Sequence, residues 1–156
     1  YSLDASMPLA KVSGGSATVA RADRWPILQR QALYHLTLTT VGMREPHWHP
    51  ETAEMGYVHQ GKGRMSILSP SGSIDTYEME AGDLYFIPHA YPHHIENLGA
   101  DDLKILIFFD RPMPGDVGFT GSLKAQGEEV LEAFLDFPKG LPTYYEDLLI
   151  VDKYVP

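Results

Sequence analysis

The chain has 156 residues, of which 44% are apolar and 21% are charged, and its formal net charge is −9. A chain of this length can bury one hydrophobic core, so we expect a single domain. The negative charge disfavours nucleic acid and anionic membrane surfaces as partners. The apolar runs are strand-sized, far short of the roughly 20 residues of a membrane span, and the absence of cysteine excludes disulfides and thiolate metal sites.

The first residues, Tyr1 to Asp4, contain neither an initiator methionine nor a charged segment followed by an apolar one. No signal peptide is therefore expected in this chain, and we expect a soluble protein. The chain is either a processed form or a part cut from a longer protein. The cellular compartment is not determined by the sequence, because a chain without cysteine does not indicate whether its surroundings are oxidising or reducing.

Composition and apolar spacing predict an all-β domain. Fourteen glycines and twelve prolines favour short elements joined by tight turns. Residues 1–31 show no regular pattern and are expected to form an irregular N-terminal arm, with a turn at 13–16. Alternating segments predict strands over 32–41, 46–49, 53–59, 64–68, 74–79, 84–87, 93–97 and 103–109. The last is a continuous apolar run, which indicates burial on both faces, and strands at such short intervals are typical of a sandwich or barrel.

The pattern changes after residue 110. Two prolines within 111–115 end the strand pattern, because proline cannot continue a central ladder. Apolar residues spaced by three and four predict an amphipathic helix over 128–137. The aromatic, acidic tail at 143–156 is expected to pack on the barrel or reach a neighbouring subunit. The predicted divisions are an arm (1–31), a barrel core (32–110), and a lid-like loop, helix and tail (111–156).

A group of histidines predicts a metal site. His47 and His49 have the strand period of two, so both imidazoles face one side while Trp48 faces the other. Glu54 can return to the same place after a turn, and His93 arrives from a different strand. Such a set is a hard, mixed nitrogen and oxygen site for a divalent ion, and it leaves two positions open if the ion is six-coordinate. The alternative is that these histidines are ordinary surface or core residues.

The histidines stand inside a longer ordered pattern. It contains Gly42, His47, His49, Glu54 and Gly61, followed by Gly82, Pro88, Ala90, His93 and Asn97. This order resembles the two sequence motifs of the cupin family. Two departures exist: the interval between Gly42 and His47 is one residue shorter than in the family, and Ala90 stands where glycine is usual.

The resemblance covers roughly residues 32–109. It implies a cupin fold, that is, a double-stranded β-helix or jelly-roll barrel, here followed by a short C-terminal helix. It also implies that His47, His49, Glu54 and His93 are the metal ligands.

The other histidines are expected to lie outside this site. His94 follows a ligand on a strand and should point the opposite way. His35 and His59 lie on strands without partner patterns and are interpreted as core or surface residues. His89 lies in a proline-rich corner and is expected to be exposed.

The segment 43–49, Met-Arg-Glu-Pro-His-Trp-His, resembles the Met-Arg-Glu-x-His-Trp-His of oxalate decarboxylases. In that family the arginine binds the substrate carboxylate beside manganese, a role that the resemblance gives to Arg44. A guanidinium can hold a carboxylate through two parallel hydrogen bonds. The alternative is an arginine that reaches the surface or pairs with Glu45.

The segment 113–121 corresponds to a short flexible lid in those enzymes, where a glutamate shuttles a proton. Here the glutamate is absent and Asp116 is the carboxylate of the segment, with Gly115 and Gly118 as candidate hinges. Asp116 is therefore the candidate general acid or base. The alternative is an exposed loop aspartate without a catalytic part.

The resulting hypothesis is a Mn(II)-dependent enzyme of the oxalate decarboxylase or oxalate oxidase type, acting on a small carboxylate. Fe(II), Ni(II), Cu(II) or Zn(II) could occupy the same ligands. Because those enzymes have two domains, this chain is expected to form a homodimer or to be one half of a two-domain protein. The rival hypotheses are an Fe(II) dioxygenase and a non-catalytic module that binds metal and a small carboxylate.

Overall fold

The computed structural model describes residues 1–135 and 150–152. The strands in this part of the chain are β1 (Ala10–Val12), β2 (Gly15–Ala20), β3 (Ala32–Leu38), β4 (Gly42–Trp48), β5 (Glu54–Gln60), β6 (Lys62–Leu68), β7 (Ile74–Glu80), β8 (Leu84–Ile87), β9 (His93–Asn97), β10 (Leu103–Phe109), β11 (Val117–Gly118) and β12 (Ile150–Asp152). The helices are α1 (Phe119–Lys124) and α2 (Glu128–Leu135). None of the described helices has the length and apolar character of a bilayer span.

The strands form two antiparallel sheets. One sheet has the order β1-β2-β3-β10-β5-β8, and the other has the order β11-β4-β9-β6-β7, with β12 also paired to β4. Inward side chains of both sheets meet in one hydrophobic core, which joins Leu36 and Ile105 of the first sheet to Met65 and Ile95 of the second. The predicted all-β architecture is confirmed.

Alternation along the strands explains where the core lies. On β3, Tyr34, Leu36 and Leu38 are at most 5% exposed, while the residues between them are half-buried. Burying one large apolar side chain contributes roughly 1.5–3 kcal/mol relative to leaving it exposed. The period of two in this sequence therefore fixes which face of the strand turns inward.

The expectation of an irregular structure at the N-terminus is wrong for β1 and β2. These strands pair with each other, and β2 pairs with β3 along its whole length. The turn expected between them forms at Ser13 and Gly14. Ala17 and Val19 reach the core with 1% and 0% exposure, because small side chains suffice where β2 packs over the interior. The division of the chain at residues 31 and 110 stays a prediction.

Strand β10 is buried on one face only, contrary to the expectation of burial on both. Ile105 and Ile107 face the core, whereas Leu106 is half-buried and Phe108 is 41% exposed. A continuous apolar run does not reveal whether its second face meets another part of the molecule. In the described chain, that second face is open.

The C-terminal expectations are only partly within the described residues. Helix α2 begins at Glu128, as predicted, and is described as far as Leu135. The predicted helix residues 136 and 137 lie outside the described part, as does the tail except for β12. Strand β12 pairs with β4 through Ile150 opposite Arg44.

The proline corner between β8 and β9 carries an unusual backbone angle. Ala90 has a φ of 61°, in the left-handed region that glycine prefers. Its N–H donates to the carbonyl of His49 at 2.9 Å. A non-glycine residue there costs roughly 1–2 kcal/mol, which explains why the related motif has glycine at this position. The turn nevertheless forms and ties the corner to the end of the His47–His49 segment.

The asparagine of the second motif is a buried structural residue. Asn97 Nδ2 donates to the carbonyls of Leu38 and Asp101, each at 2.9 Å, and Oδ1 accepts from Gly99 N–H at 2.7 Å. All its hydrogen-bonding groups are thus used at 0% exposure. Asn97 therefore fixes the end of β9 against β3.

Candidate metal centre

Three strands of the barrel bring the four predicted ligands together. The ligand atoms of His47, His49, Glu54 and His93 all lie within 4.8 Å of one another. Each residue is at most 3% exposed. His47 is paired directly with His93 across β4 and β9, while Glu54 opens β5 and lies next to them because both sheets face the same interior.

Backbone carbonyls fix the orientation of all three imidazole rings. Nδ1 of His47 donates to Glu45 O at 2.7 Å, Nδ1 of His49 donates to Gly115 O at 2.7 Å, and Nδ1 of His93 donates to Tyr91 O at 2.9 Å. A carbonyl can only accept, so each Nδ1 carries a proton. Nε2 of His47 and Nε2 of His93 can then offer their lone pairs to the interior, the arrangement that histidine ligands of metals commonly show. Nε2 of His49 lies 2.9 Å from Glu54 Oε2, so it offers its lone pair once it gives up the proton that this hydrogen bond requires.

The carboxylate ligand is oriented in a similar way. Tyr85 donates its hydroxyl proton to Glu54 Oε1 at 2.6 Å, which leaves Oε2 towards the imidazoles. Gly56 permits this contact, because a Cβ at that position would lie 2.1 Å from the Tyr85 ring. Burial, and after it the Glu54 carboxylate, raises the pKa of Tyr85 well above 10, so the hydroxyl remains a donor at neutral pH.

The donor set fits a divalent cation. Nε2 of His93 is a buried polar atom without a hydrogen-bond partner among the described residues, which ordinarily costs free energy. The guanidinium of Arg44 lies against the carboxylates of Glu45 and Asp116, and the Glu54 carboxylate lies in the cluster itself. With neutral imidazoles, a divalent ion would offset the excess negative charge and satisfy the unpaired nitrogen.

The surroundings shift the pKa values of three residues of the cluster, His47, His49 and Glu54. Burial, and after it the Arg44 charge, lowers the pKa of His47 well below 6.5, so this ring is neutral at physiological pH. Burial alone would raise the pKa of Glu54, but the His93 and His49 rings outweigh it and hold that pKa below its usual range. Burial also opposes charge on His49, yet the hydrogen bond to Glu54 prevails and raises the pKa of His49. A metal ion therefore competes with a proton at His49.

Arg44 and Asp116 lie together beside this cluster. Arg44 is 3% exposed, and its guanidinium forms an ion pair with the Asp116 carboxylate. Glu45 Oε1 is 3.9 Å from the same guanidinium. Asp116 Oδ2 also lies 4.0 Å from His49 Nδ1. Arg44 therefore does not reach the surface, and Asp116 is not an exposed loop residue, since its side chain is 13% exposed.

The segment expected to form a lid, 113–121, includes a short strand and the start of a helix, and its role as a lid stays a prediction. Strand β11 pairs with β4 through Gly118 opposite His47, and α1 begins immediately afterwards. A Cβ on Gly118 would lie 2.1 Å from Glu45 Oε1, so any larger residue at this position would displace that carboxylate. Glu45 Oε2 accepts from the Thr120 N–H at 3.2 Å, near the start of α1. Glu45 thus fastens the helix that follows the Asp116 loop.

The cavity between these groups is small. It measures about 20 Å³, which is room for roughly one water molecule. Its lining combines polar groups with apolar core side chains, and the polar ones are Arg44, Asp116, His47, His49 and Glu54. While Asp116 is paired with Arg44, the space beside the ligand cluster is thus limited to about one water molecule.

Two functionally placed residues escaped the sequence-based interpretation, Tyr85 and Glu45. Tyr85 is an inward residue of an alternating strand and resembles core, and its partner Glu54 is known only once the β5–β8 register is known. Glu45 was considered only as a partner of Arg44, although its carboxylate lies next to the Gly118 backbone. His94 behaves as expected, since it points away from the cluster and contacts Glu96 at 3.2 Å.

We expect Tyr85→Phe to weaken metal binding by about 10- to 100-fold, because the hydroxyl that orients Glu54 is lost. The measurement is a competition titration of Mn(II) against a chelator. Tyr57→Phe is the matched control, since Tyr57 lies on β5 but faces outwards, and it should leave the affinity unchanged. Equal affinities of wild type and Tyr85→Phe would show that Tyr85 does not tune this centre.

Known proteins are similar to this chain over most of its length. A family model described as Cupin matches residues 1–138. Oxalate decarboxylase OxdC of Bacillus subtilis (strain 168) is 31% identical over 141 residues, which are 90% of this chain and 36% of that protein. An oxalate decarboxylase of Arthroderma benhamiae is 30% identical over 84% of this chain and 32% of its own length. Germin-like protein 5-1 of Oryza sativa subsp. japonica is 28% identical over 78% of this chain and 56% of that protein.

Solved structures show the same likeness. A mutant of the Bacillus subtilis oxalate decarboxylase OxdC superposes with a TM-score of 0.90 at 30% identity, covering 99% of this chain and 41% of that one. Another structure with a TM-score of 0.90 concerns the Mn(II) centres of the same oxalate decarboxylase. The chain thus spans about a third of the curated oxalate decarboxylases and about two fifths of the solved chains that it matches. On the family model and this fold, the chain belongs to the cupin family.

Proposed function

We propose that this cupin is a metal-dependent enzyme, with Mn(II) as the favoured ion, that acts on a small carboxylate of the oxalate type. One observation carries the proposal: a buried guanidinium, Arg44, lies beside the four-ligand cluster and is already paired with a carboxylate. Asp116 stands in for the carboxylate of a substrate. A bound divalent ion would supply Lewis acidity and, with dioxygen, one-electron chemistry.

The chain's own residues have separable roles in this proposal. Arg44 holds one carboxylate of the substrate by two parallel hydrogen bonds, and the surrounding burial strengthens that interaction. Asp116, once displaced, remains close enough to hold or deliver a proton. Glu45 positions the segment that carries Asp116 by accepting the Thr120 N–H. Apolar core residues around the cavity exclude bulk water.

Two reactions are compatible with these roles. Decarboxylation converts oxalate and one proton into formate and carbon dioxide, so a proton must reach the carbon. Oxidation converts oxalate, dioxygen and two protons into two carbon dioxide molecules and hydrogen peroxide. The two reactions differ in what they require of Asp116. Only decarboxylation needs a proton donor directed at the substrate carbon.

The experiment is an assay of purified, Mn-loaded protein with oxalate under air. Formate, carbon dioxide and peroxide are measured together with bound metal. Formate in proportion to carbon dioxide would identify the decarboxylase reaction, and peroxide would identify the oxidase reaction. Retained metal with no turnover of oxalate or related acids would contradict the enzyme proposal.

A non-catalytic module that binds a metal ion and a small carboxylate is the second candidate. The observation that favours it is Asp116 in place of the expected glutamate, together with the ion pair that closes the small cavity. Such a module would shift the Mn(II) spectrum on adding oxalate without forming product.

We also propose a homodimer through the open face of the first sheet. Two rows of paired side chains cross β10, β5 and β8 on that face, and together they form the outer apolar face: Phe108, Met55 and Phe86 in one row, and Leu106, Tyr57 and Leu84 in the other. Leu84 and Phe86 are 68% and 59% exposed. A contiguous, uncharged patch of this kind is typical of an interaction surface. A two-fold axis through it would bury the same apolar rows of both copies.

We expect Leu84→Glu to convert the dimer into monomers, because a carboxylate would be buried without a partner. Ile74→Glu is the matched control, since Ile74 is also 68% exposed but belongs to the second sheet. Light scattering over a concentration series gives the mass of each variant. A wild-type chain that is monomeric throughout would contradict the homodimer and would leave a second domain of a longer protein as the occupant.

A further inference from the structure

A second pair of histidines lies on the outer side of the first sheet. His35 on β3 and His59 on β5 flank the central strand β10. Their Nε2 atoms are 3.0 Å apart, and their ring planes are inclined by 45°. The β5–β10 register shifts between Lys104 and Ile105, next to His59, and such irregularities re-aim side chains. Two imidazole nitrogens therefore converge at an accessible position, far along the chain from each other.

Asp4 determines the tautomer of one of these rings. Its Oδ1 lies 3.1 Å from His35 Nδ1, and a carboxylate only accepts, so Nδ1 of His35 carries the proton. Nε2 of His35 consequently offers a lone pair towards His59. A carboxylate on the far nitrogen of a histidine is the support that metal-ligating imidazoles generally have.

We propose that His35 and His59 form a second site for a late first-row divalent cation, with Asp4 orienting His35 and water completing the coordination. Two nitrogen donors at about 2.0–2.1 Å from such an ion lie about 2.9 Å apart at a right angle and about 3.3 Å apart at the tetrahedral angle, and the observed separation of 3.0 Å lies between these values. Imidazole suits zinc, copper and nickel, whereas manganese, magnesium and calcium prefer oxygen donors. The pair is thus chemically distinct from the buried cluster, which includes a carboxylate.

The pair can also be a hydrogen bond, with His59 Nε2–H donating to His35. When a cation replaces this hydrogen bond, the single proton of the neutral His59 ring moves from Nε2 to Nδ1, and Nε2 becomes free to coordinate. Desolvation, followed by the charges of His35 and Lys104, lowers the pKa of His59, so that ring is neutral at pH 7 and available as a ligand. The competing possibility is a purely structural clamp between the N-terminal segment and the sheet.

The test is a count of Zn(II) bound by the full, metal-free chain in equilibrium dialysis. We expect two equivalents for wild type and one each for His59→Gln and His35→Gln. His94→Gln is the control and should bind two, because the contact that His94 makes is with the acidic residue Glu96 rather than with another histidine. Asp4→Ala should still bind two equivalents. The equivalent at His35 and His59 should bind about 10-fold more weakly than in wild type.

The outcomes separate this site from the buried centre. If the buried cluster binds no zinc, wild type binds one equivalent and His59→Gln binds none, which still supports the proposal. Equal numbers in wild type and His59→Gln would overturn it. A lowered melting temperature of His59→Gln with an unchanged metal count would identify the structural clamp instead.

Discussion

Mn(II) bound to His93→Ala is expected to fall from about one equivalent to less than a tenth after dialysis. Removing this imidazole deletes one of four ligands and opens the centre, a larger loss than the 10- to 100-fold that outer partners cause. Manganese is chosen because it does not favour a site of two imidazoles such as His35 and His59. Elemental analysis of the dialysed protein gives the ratio.

Two further variants make this result interpretable. Glu54→Gln keeps the shape of the side chain but removes its charge, and it should also lose manganese. His94→Gln changes the neighbouring residue of β9, whose side chain lies outside the cluster, and should keep a full equivalent. Circular dichroism establishes that each variant is folded. Wild-type metal content in folded His93→Ala would refute the proposed ligand set.

Arg44→Lys is expected to lower kcat/KM for oxalate by about 100-fold or more, equivalent to about 2.7 kcal/mol of transition-state stabilisation. Lysine retains the charge but cannot form two parallel hydrogen bonds to a carboxylate. Bound manganese should not change, because Arg44 is not among the four ligands. Steady-state kinetics and metal analysis on the same preparation provide both quantities.

Arg64→Lys is the matched control for this variant. Arg64 also forms a two-pronged pair, with Glu96 at 3.0 and 2.8 Å, but its side chain is 43% exposed and lies on the outer surface. The substitution should leave turnover unaltered. If wild type binds oxalate without turning it over, the shift of the Mn(II) signal replaces kinetics as the readout. Full activity or an undiminished shift in Arg44→Lys would remove Arg44 from the role of carboxylate anchor.

Three residues of the cluster were predictable because their information is local, whereas His93, on a different strand, was assigned through the resemblance to the cupin motifs. His47 and His49 are spaced by the strand period, and Glu54 follows after one turn, so short-range geometry brings them together. The partnership of Tyr85 with Glu54 was not predictable, because it depends on the β5–β8 register and on the missing Cβ of Gly56. The same holds for His35 and His59, which are separated by a third strand.

The larger errors of the sequence-based interpretation have one physical origin. Strand β2, with small residues such as Ala17, shows little periodic contrast, and it becomes a strand because β3 offers it an edge to pair with. Strand β10 has apolar residues on both faces. Within the described chain, one face packs in the hydrophobic core and the other is not covered. In both cases tertiary contacts, rather than intrinsic preference, decide the outcome.

Under the proposed function, the Asp116 carboxylate competes with the carboxylate of a ligand for the guanidinium of Arg44. The apparent affinity for any carboxylate is the intrinsic affinity multiplied by the fraction of molecules in which Asp116 has left Arg44. A monocarboxylate regains only the interaction that Asp116 gave up. A dicarboxylate can replace Asp116 and use its second carboxylate at the cluster, so the pair would select for ligands with two acidic ends before any chemistry begins.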